Sequence, residues 1–341
     1  MSILNQSPVP VNIVCGALGA GKTTAIANLL AGKPVDESWV VILNEFTDTG
    51  IDALTLAASA RGGYDVRMIP GGCLCCTGEE DFRRQLSALL SQAVLPSRIL
   101  IEPSGVGHPG GLIEELRGFE NSGAIELAST IVVIESRRIN ELDQLPDLMR
   151  DQVDAADVVL LSKAELADAD MRERFMNWAQ ELFPSKKHIG FSEHGLLPAE
   201  ALSPTPPGTR FSLLRRKLEH QHERVEVAER EVIVGSVAAR ARAHYYLQRH
   251  ACGWLIPASA MFDLEMITTT LKRRLLENEV ERMKAVLRTS IDRWHLVQYW
   301  QSQLEWREIS WRQDSRVEVQ MMVDVSVDWS DWDEWLRAVA G

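Results

Sequence analysis

Short apolar runs alternate with amphipathic segments through the first half of the chain. The runs hold too few polar positions to have an exposed face, which predicts buried strands at residues 8–16, 39–45, 98–105, 129–136 and 157–163, and a last strand with its turn at 187–195. Helices are predicted over 22–32, where Gly32 and Pro34 end the pattern, and over 170–183. This alternation is typical of an α/β fold with a mainly parallel sheet.

The pattern changes after residue 202. The stretch "SPTPPGTR" holds three prolines and a glycine, and a charged run follows it to residue 231. We therefore expect a first domain over 1–202, a linker over 203–231 and a smaller α+β domain over 232–341. Alternating polar and apolar residues in "RWHLVQYW" and "RVEVQMMVDV" predict strands in the second domain. The stretch "SDWDEWLRAVAG" predicts a short final helix with Ser330 as its N-cap.

Composition and charge narrow the class of protein. The 341 residues suit two domains, and 36 basic residues against 48 acidic ones give a net charge of −12. Nucleic-acid and anionic-membrane surfaces need a basic footprint, so we expect neither as a partner. No run reaches the ~18 apolar residues that span a bilayer, and the first residues lack the features of a secretory signal. Both observations favour a cytoplasmic protein.

A glycine-rich motif follows the first predicted strand. The stretch "GALGAGKTT" fits the pattern G-x-x-x-x-G-K-[ST] with Gly16, Gly21, Lys22 and Thr23, and it opens the helix predicted over 22–32. Glycines let backbone N–H groups turn toward phosphate oxygens, and the helix N-terminus adds a favourable dipole. Lys22 is expected to bridge the β- and γ-phosphates, and the Thr23 hydroxyl is expected to bind Mg²⁺. The motif predicts a nucleoside triphosphate site within a P-loop NTPase fold.

Two further stretches have the positions of switches around a triphosphate. Glu102 ends a predicted strand and can position the Mg²⁺ water shell, and Gly105 can offer its N–H to the γ-phosphate. The stretch "NEFTDTGID" follows the second predicted strand and carries three acids, any of which could meet Mg²⁺ or another metal ion or simply belong to a solvated loop. These acids are Glu45, Asp48 and Asp52.

The base-recognition loop is less regular. A guanine reader usually ends a strand with Asn-Lys-x-Asp, whose carboxylate accepts two hydrogen bonds from the base. Here the corresponding stretch is Ser162, Lys163, Ala164 and Glu165. Lys163 can still cover the base and Glu165 keeps a carboxylate, whereas Ser162 lacks the amide. Guanine is favoured over adenine or relaxed specificity, and both alternatives stay open.

Three of the five cysteines lie together in "GGCLCC", between the two switch stretches. Cys73, Cys75 and Cys76 stand in a glycine-led polar loop, unlike a core segment, and thiolates bind Zn²⁺ and similar ions strongly. A C-x-x-C redox pair is the alternative. Glu45, His108, water or a partner would have to supply a fourth ligand, and we expect metal binding and nucleotide state to be coupled. The other two cysteines, Cys15 and Cys252, are expected in the core.

The motifs together resemble one known family. "GALGAGKTT", "NEFTDTGID", "GGCLCC" and "IEPSGVGHP", in this order, resemble the CobW/YjiA group of metal-handling P-loop GTPases. "SEHG", "ACGWLIP", "KAVLRT" and "DSRVEV" look most like its YeiR branch. The resemblance covers nearly the whole chain.

The resemblance implies a Zn²⁺-binding, Zn²⁺-stimulated GTPase that acts as a metallochaperone or in zinc homeostasis. Its implied partners are GTP and GDP, zinc and an unidentified metalloprotein client, and the oligomeric state stays open, a homo-oligomer included. The matching motifs also imply the roles of residues in this chain. The three-cysteine loop would be the metal site, and residues 162–165 would be the base-recognition loop. Phosphates and Mg²⁺ would be held by Gly19, Ala20, Gly21, Lys22, Thr23 and Thr24.

This chain departs from the family pattern at three places. "SKAE" replaces Asn-Lys-x-Asp, Thr47 and Asp48 replace the usual Gly and Glu, and the histidine-rich tract is reduced to "HQH". The last departure argues against metal storage. Three rival functions remain: a nucleotide-gated zinc-binding scaffold with incidental hydrolysis, a chaperone for cobalt or another metal, and a P-loop kinase with the thiols as a structural clip.

Overall fold

Two seven-stranded sheets organise the chain, which divides into two units built around one sheet each. The structure is a computed structural model, and it describes residues 7–45, 56, 64–70, 79–103, 109–183, 185–203, 226–246, 249–277, 280–300, 302–309, 314–322 and 327–340. No helix among these residues is long and apolar enough to cross a bilayer.

The first sheet has the strand order β3-β2-β4-β1-β5-β6-β7. Its strands are β1 Val9–Cys15, β2 Trp39–Glu45, β3 Tyr64–Pro70, β4 Arg98–Glu102, β5 Ile125–Glu135, β6 Val158–Ser162 and β7 His188–Ser192. Every pairing from β2 across to β7 is parallel. Because parallel strands end at a common edge, the residues that follow β1, β4, β6 and β7 meet there.

Helices cover this sheet. They are α1 Lys22–Gly32, α2 Glu79–Leu90, α3 Pro109–Asn121, α4 Asp147–Ala155 and α5 Ala169–Gln180, with 3₁₀ segments at Ser136–Gln144, Ala164–Leu166 and Ala199–Leu202. Ile13 and Val14 point to opposite faces of β1, and both are 0% exposed. Both faces of the sheet are therefore buried, which explains the uniformly apolar strands.

The second unit is an antiparallel sheet with the order β13-β12-β11-β14-β10-β9-β8. Its strands are β8 Glu226–Val234, β9 Val237–Tyr246, β10 Arg249–Pro257, β11 Val280–Arg288, β12 Trp294–Trp300, β13 Gln303–Ile309 and β14 Asp314–Met322. Helices α6 Leu264–Glu277 and α7 Ser330–Val339 pack on it through residues such as Leu271 and Trp332, which share a core with Trp254. The unit is α+β, as expected.

The predicted strands and helices of the first half are confirmed within a few residues, and the helix predicted over 22–32 is α1 Lys22–Gly32. The linker expectation over 203–231 needs a correction at its end, because β8 already begins at Glu226. The N-cap expectation for Ser330 is wrong. Ser330 is the first residue of α7, and its backbone N–H donates to the carboxylate of Asp328 at 2.9 Å.

Candidate nucleotide and metal site

The glycine motif forms a tight loop between β1 and α1. Gly16, Gly19 and Gly21 have φ values of +146°, +77° and +91°, which side chains with a Cβ rarely adopt. A Cβ on Gly16 would lie 2.5 Å from the carbonyl oxygen of Val133 in the neighbouring strand β5. The backbone can pass this close to β5 only because the residue is glycine.

Lys22 begins α1 and lies over the loop. Its side chain is nearly buried, and its Nζ donates to the carbonyl oxygens of Gly16 at 3.0 Å and Ala17 at 3.1 Å. Ala20, within the loop, is 1% exposed, and Thr24 follows in the first turn of α1. The loop, the ammonium group and the N-terminus of α1 therefore offer positive charge and N–H donors at one point.

Thr23 and Glu102 meet beside this loop. The Thr23 hydroxyl donates to Oε1 of Glu102 at 3.0 Å, and Glu102 is 7% exposed. The contact arises because β4 pairs with β1 and ends at Glu102, next to the start of α1. A hydroxyl and a carboxylate are the hard oxygen ligands that suit Mg²⁺, so these two side chains fit that ion.

Cys15, the last residue of β1, belongs to the core, as expected. Burial raises the pKa of its thiol to about 12, with Lys22 lowering the pKa and Glu102 raising it by smaller amounts. The thiol is 1% exposed. It is therefore protonated and inaccessible at neutral pH, in contrast to what a metal ligand requires.

The loop after β6 is fixed to the end of β5. Lys163 adopts a left-handed conformation with φ +53°, and its Nζ lies 2.8 Å from Oε1 of Glu135, which is 1% exposed. The Ser136 hydroxyl donates to the Lys163 carbonyl oxygen at 3.0 Å. Ser162, the last residue of β6, is buried. The stretch predicted for base recognition thus has a defined conformation.

Glu165 contacts the turn that follows β7. The backbone N–H of His194 donates to its Oε2 at 2.9 Å, and His194 Nδ1 lies 3.6 Å from its Oε1. Burial by itself would raise the pKa of Glu165, but the His194 N–H bond and neighbouring positive groups hold the pKa below its ordinary value. The carboxylate is therefore ionised at neutral pH.

Arg172 joins the same two loops from α5. Its Nη2 donates to the Ala164 carbonyl oxygen and to Oε1 of Glu193, both at 2.6 Å, and its guanidinium lies over the Phe191 ring. Hydrogen bonds from one planar guanidinium to both loops hold them at a set separation.

The turn after β7 also packs on α1. Asn28 donates its side-chain amide to the His194 carbonyl oxygen at 2.9 Å. A Cβ on Gly195, which has φ +76°, would lie 2.8 Å from Thr24 Cγ2. The turn after β7 (193–195) therefore lies beside the start of α1, and the Glu165–His194 bond joins it to the loop after β6 (163–165). These two segments, called the base-side loops below, lie at the carboxyl edge of the parallel sheet, where such folds bind ligands.

The sequence pattern did not identify four of these residues: Asn28, Glu135, Arg172 and His194. Glu135 ends a buried strand just as Glu102 does, so an acid at a strand end was the available signal. The stretch "SEHG" contains His194, but its pattern indicates no role for that residue. Asn28 and Arg172 are polar positions on helices, and no local pattern distinguishes them from other solvated residues.

Comparison with known proteins adds to this geometry. The family model described as "CobW/HypB/UreG, nucleotide-binding domain" matches residues 10–189, which run from β1 into β7. The chain belongs to the CobW/HypB/UreG family. The resemblance to metal-handling P-loop GTPases is thereby confirmed, as is the α/β P-loop fold with a smaller α+β domain.

Two relatives of this CobW/HypB/UreG chain and one solved structure show how far the similarity extends. "Zinc chaperone YeiR" of Escherichia coli K12 is 32% identical over 286 residues, covering 81% of this chain and 82% of that protein. "Zinc chaperone CobW" of a Sinorhizobium species is 29% identical over 247 residues, covering 64% of this chain and 69% of that protein. Among solved structures, Zn(II)-bound YjiA GTPase from E. coli aligns over 98% of both chains with 17% identity and a TM-score of 0.41.

Several predicted ligands of this CobW/HypB/UreG protein lie outside the described residues. They are Cys73, Cys75, Cys76, Gly105, Asp48, Asp52 and His108. Glu45 ends β2, but the position of its side chain is not described. Within the described part of the chain, no three metal-binding side chains come together.

Proposed function

We propose that this protein is a zinc-binding GTPase that acts as a metallochaperone or in zinc homeostasis, with hydrolysis stimulated by zinc and coupled to delivery of the metal to a client metalloprotein. The observation that carries the proposal is the hydrogen bond between Thr23 and Glu102, beside a glycine loop whose carbonyl oxygen at Gly16 accepts a hydrogen bond from Lys22. This arrangement suits a nucleoside triphosphate with Mg²⁺. The zinc and GTPase parts of the proposal are supported by the family to which the chain belongs, because relatives in it are named for zinc and for GTPase activity.

The residues around the phosphates have distinct roles in this proposal. Lys22 neutralises the β- and γ-phosphates, and the N–H groups of the loop, with that of Gly105 from the next strand end, hold their oxygens. Thr23 and Glu102 are the residues that would hold Mg²⁺ and its water shell, and the ion would supply positive charge beside the phosphate oxygens. Among the described residues we identify no general base for the attacking water, so slow intrinsic turnover is expected.

Zinc is the cargo in this proposal. Cys73, Cys75 and Cys76, with Glu45 as a further ligand, are proposed to bind it because thiolates favour Zn²⁺ and three ligands from one loop leave the ion exchangeable. Support comes from the names of relatives, among them two zinc chaperones and "Zinc-regulated GTPase metalloprotein activator 1" of Schizosaccharomyces pombe.

Titration of Zn²⁺ into metal-free protein while GTP turnover is measured tests the proposal. We expect turnover to rise severalfold with zinc in the unmodified protein and to stay flat in a Cys75→Ala variant, because that variant removes one thiolate of the site. A rate that zinc leaves unchanged, with zinc still bound, would favour a scaffold with incidental hydrolysis. Repeating the titration with Co²⁺ tests the cobalt alternative.

Cysteine labelling provides the matched control. Zinc should protect the three clustered thiols from alkylation, while Cys15 and Cys252 stay unlabelled with or without metal. Both of these thiols are buried, and burial raises the pKa of each to about 12, against 9.0 when exposed. At pH 8.5 this lowers their thiolate fraction roughly a thousandfold. A Cys252→Ser variant should therefore keep zinc stimulation.

A further inference from the structure

Guanine and adenine differ in the hydrogen-bond donors and acceptors that they would present to the two base-side loops. Guanine presents N1–H and N2–H donors and an O6 acceptor, whereas adenine presents an N1 acceptor and an N6–H donor. A site built to pair one of these patterns rejects the other by about 10⁴–10⁵-fold, because the wrong base leaves buried polar groups unpaired. Selectivity between guanine and adenine therefore depends on which polar groups of the protein are free to bind the base and which already have hydrogen bonds within the protein.

Glu165 already accepts a hydrogen bond from within the protein. A guanine reader needs both carboxylate oxygens turned toward N1–H and N2–H. Here Oε2 accepts the His194 backbone N–H at 2.9 Å, and Oε1 lies 3.6 Å from His194 Nδ1. The carboxylate thus cross-links the loop after β6 to the turn after β7. Releasing it toward a guanine edge would break this bond between the two loops and leave Arg172 to join them.

Ser162 and Ser192 end two neighbouring parallel strands and are register partners in β6 and β7. They are 3% and 1% exposed, and neither hydroxyl oxygen has a hydrogen-bond partner among the residues that the structure describes. Buried hydroxyls without partners are costly, so a pair of them at the edge where both base-side loops begin points to a ligand or a bound water.

A hydroxyl group suits either purine. It rotates to donate to O6 of a guanine or to accept from N6–H of an adenine, whereas a side-chain amide in the same place presents a fixed pattern. Neighbouring strands are about 4.8 Å apart, so the two hydroxyls form one adaptable polar surface directly before Lys163 and Glu193.

We propose that Ser162 and Ser192 bind the base and accept both guanine-like and adenine-like purines. Glu165 then supports the two loops and forms no hydrogen bond with the base. The substrate class is then purine nucleoside triphosphates, with GTP, ITP and ATP all accepted. This inference rests on the proposed triphosphate site and specifies the ligand of that same site.

Binding of non-hydrolysable analogues of GTP, ITP and ATP to the full chain with Mg²⁺ tests the inference. We expect dissociation constants within about thirtyfold of one another. ITP lacks the 2-amino group, so GTP and ITP should bind equally well if Glu165 does not read that group. A preference of 10³-fold or more for GTP over ATP, or a clear loss on going from GTP to ITP, would overturn the inference and leave the GTPase proposal standing.

Two variants separate the contributions. The double variant S162N/E165D introduces the amide and the shorter carboxylate of a guanine reader, and it should raise the ratio of GTP to ATP affinity at least tenfold. Ser192→Ala should weaken the binding of both analogues severalfold without changing the ratio of their affinities.

Glu173→Asp, on the exposed face of α5, is the control and should leave the binding of every analogue unchanged. An unchanged ratio in a folded double variant would count against the assigned roles, whereas binding of no analogue by any protein would remove the triphosphate site itself.

Discussion

Gly16, after β1, and Lys163, after β6, both adopt positive φ angles. For Gly16, at +146°, no side chain is present to resist the conformation. Lys163, at +53°, pays the cost of a left-handed conformation, about 1–2 kcal/mol, and the contacts of its side chain and carbonyl group with Glu135 and Ser136 offset that cost. Strained backbone that the surroundings hold in place is common at binding sites, and Lys163 fits that description.

Gly16→Ala is predicted to lower the free energy of unfolding by about 1–3 kcal/mol and to abolish nucleotide binding. The added Cβ would lie 2.5 Å from the backbone oxygen of Val133, which cannot move without disturbing β5. Urea unfolding followed by circular dichroism measures the first effect, and titration with a GTP analogue measures the second.

Gly32→Ala is the matched control for this prediction. Gly32 ends α1, and a Cβ there meets nothing within 4 Å. Alanine should be neutral or should stabilise by up to about 1 kcal/mol, because it favours helix over glycine. Equal losses in both variants would show that the close approach at Gly16 is not the cause.

Helix α5 is the element that positions the base-side loops, because it carries Arg172 one turn from its start. Asp168 caps this helix, and its Oδ1 accepts the Met171 backbone N–H at 2.8 Å. The cap sets where the first turn begins, and Arg172 then reaches both Ala164 and Glu193. Local capping and the geometry of the site are linked in this way.

Asp168→Ala is predicted to destabilise the first unit by about 0.5–2 kcal/mol and to weaken nucleotide binding modestly, because the first turn of α5 loses its cap. Asp168→Asn should keep both properties, since asparagine caps about as well as aspartate. Thermal unfolding and analogue titration of the two variants give the comparison. A loss in Asp168→Asn equal to that in Asp168→Ala would mean that charge, and not capping, matters here.

Among the residues that the structure describes, each unit has a large hydrophobic core of its own, the first with residues such as Ile13 and Phe175 and the second with residues such as Trp254 and Leu271. The described residues of the candidate nucleotide site belong to the first unit, whereas the candidate metal ligand Glu45 belongs to the second. A ligand stabilises the structure that it binds by mass action. The nucleotide should therefore act mainly on the unit that holds the phosphate loop.

Hydrogen exchange with and without a GTP analogue and Mg²⁺ tests this expectation. At a hundred times the dissociation constant, slowly exchanging amides of β1 and α1 should gain about 2.7 kcal/mol of protection. Amides of β10 and β14 should be unchanged, and a Lys22→Ala variant should show no protection anywhere. Equal protection of β14 would indicate that the two units unfold together.

Much of this protein can be predicted from its sequence, because the deciding signals are local. The apolar runs predicted the central strands, and the glycine motif predicted the first residue of α1, whereas phosphate binding by its loop stays a prediction. The strand end at Glu102 predicted an acid that the structure places 3.0 Å from Thr23. In contrast, the edge strand β3 and helices α2, α3 and α4 were not predicted, although these helices are at least as amphipathic as α5.

Only the tertiary structure reveals how the loops after β6 and β7 are joined. Glu165 and His194 are 29 residues apart, Lys163 and Glu135 are 28 residues apart, and Asn28 and His194 are 166 residues apart. Sequence spacing carries no information about such contacts, because the order of strands in a sheet is set by the packing of the whole domain. The sequence by itself therefore determined which residues are candidates for binding phosphate, and the packing of the parallel sheet decided which residues lie beside the glycine loop and which of their hydrogen bonds are already made.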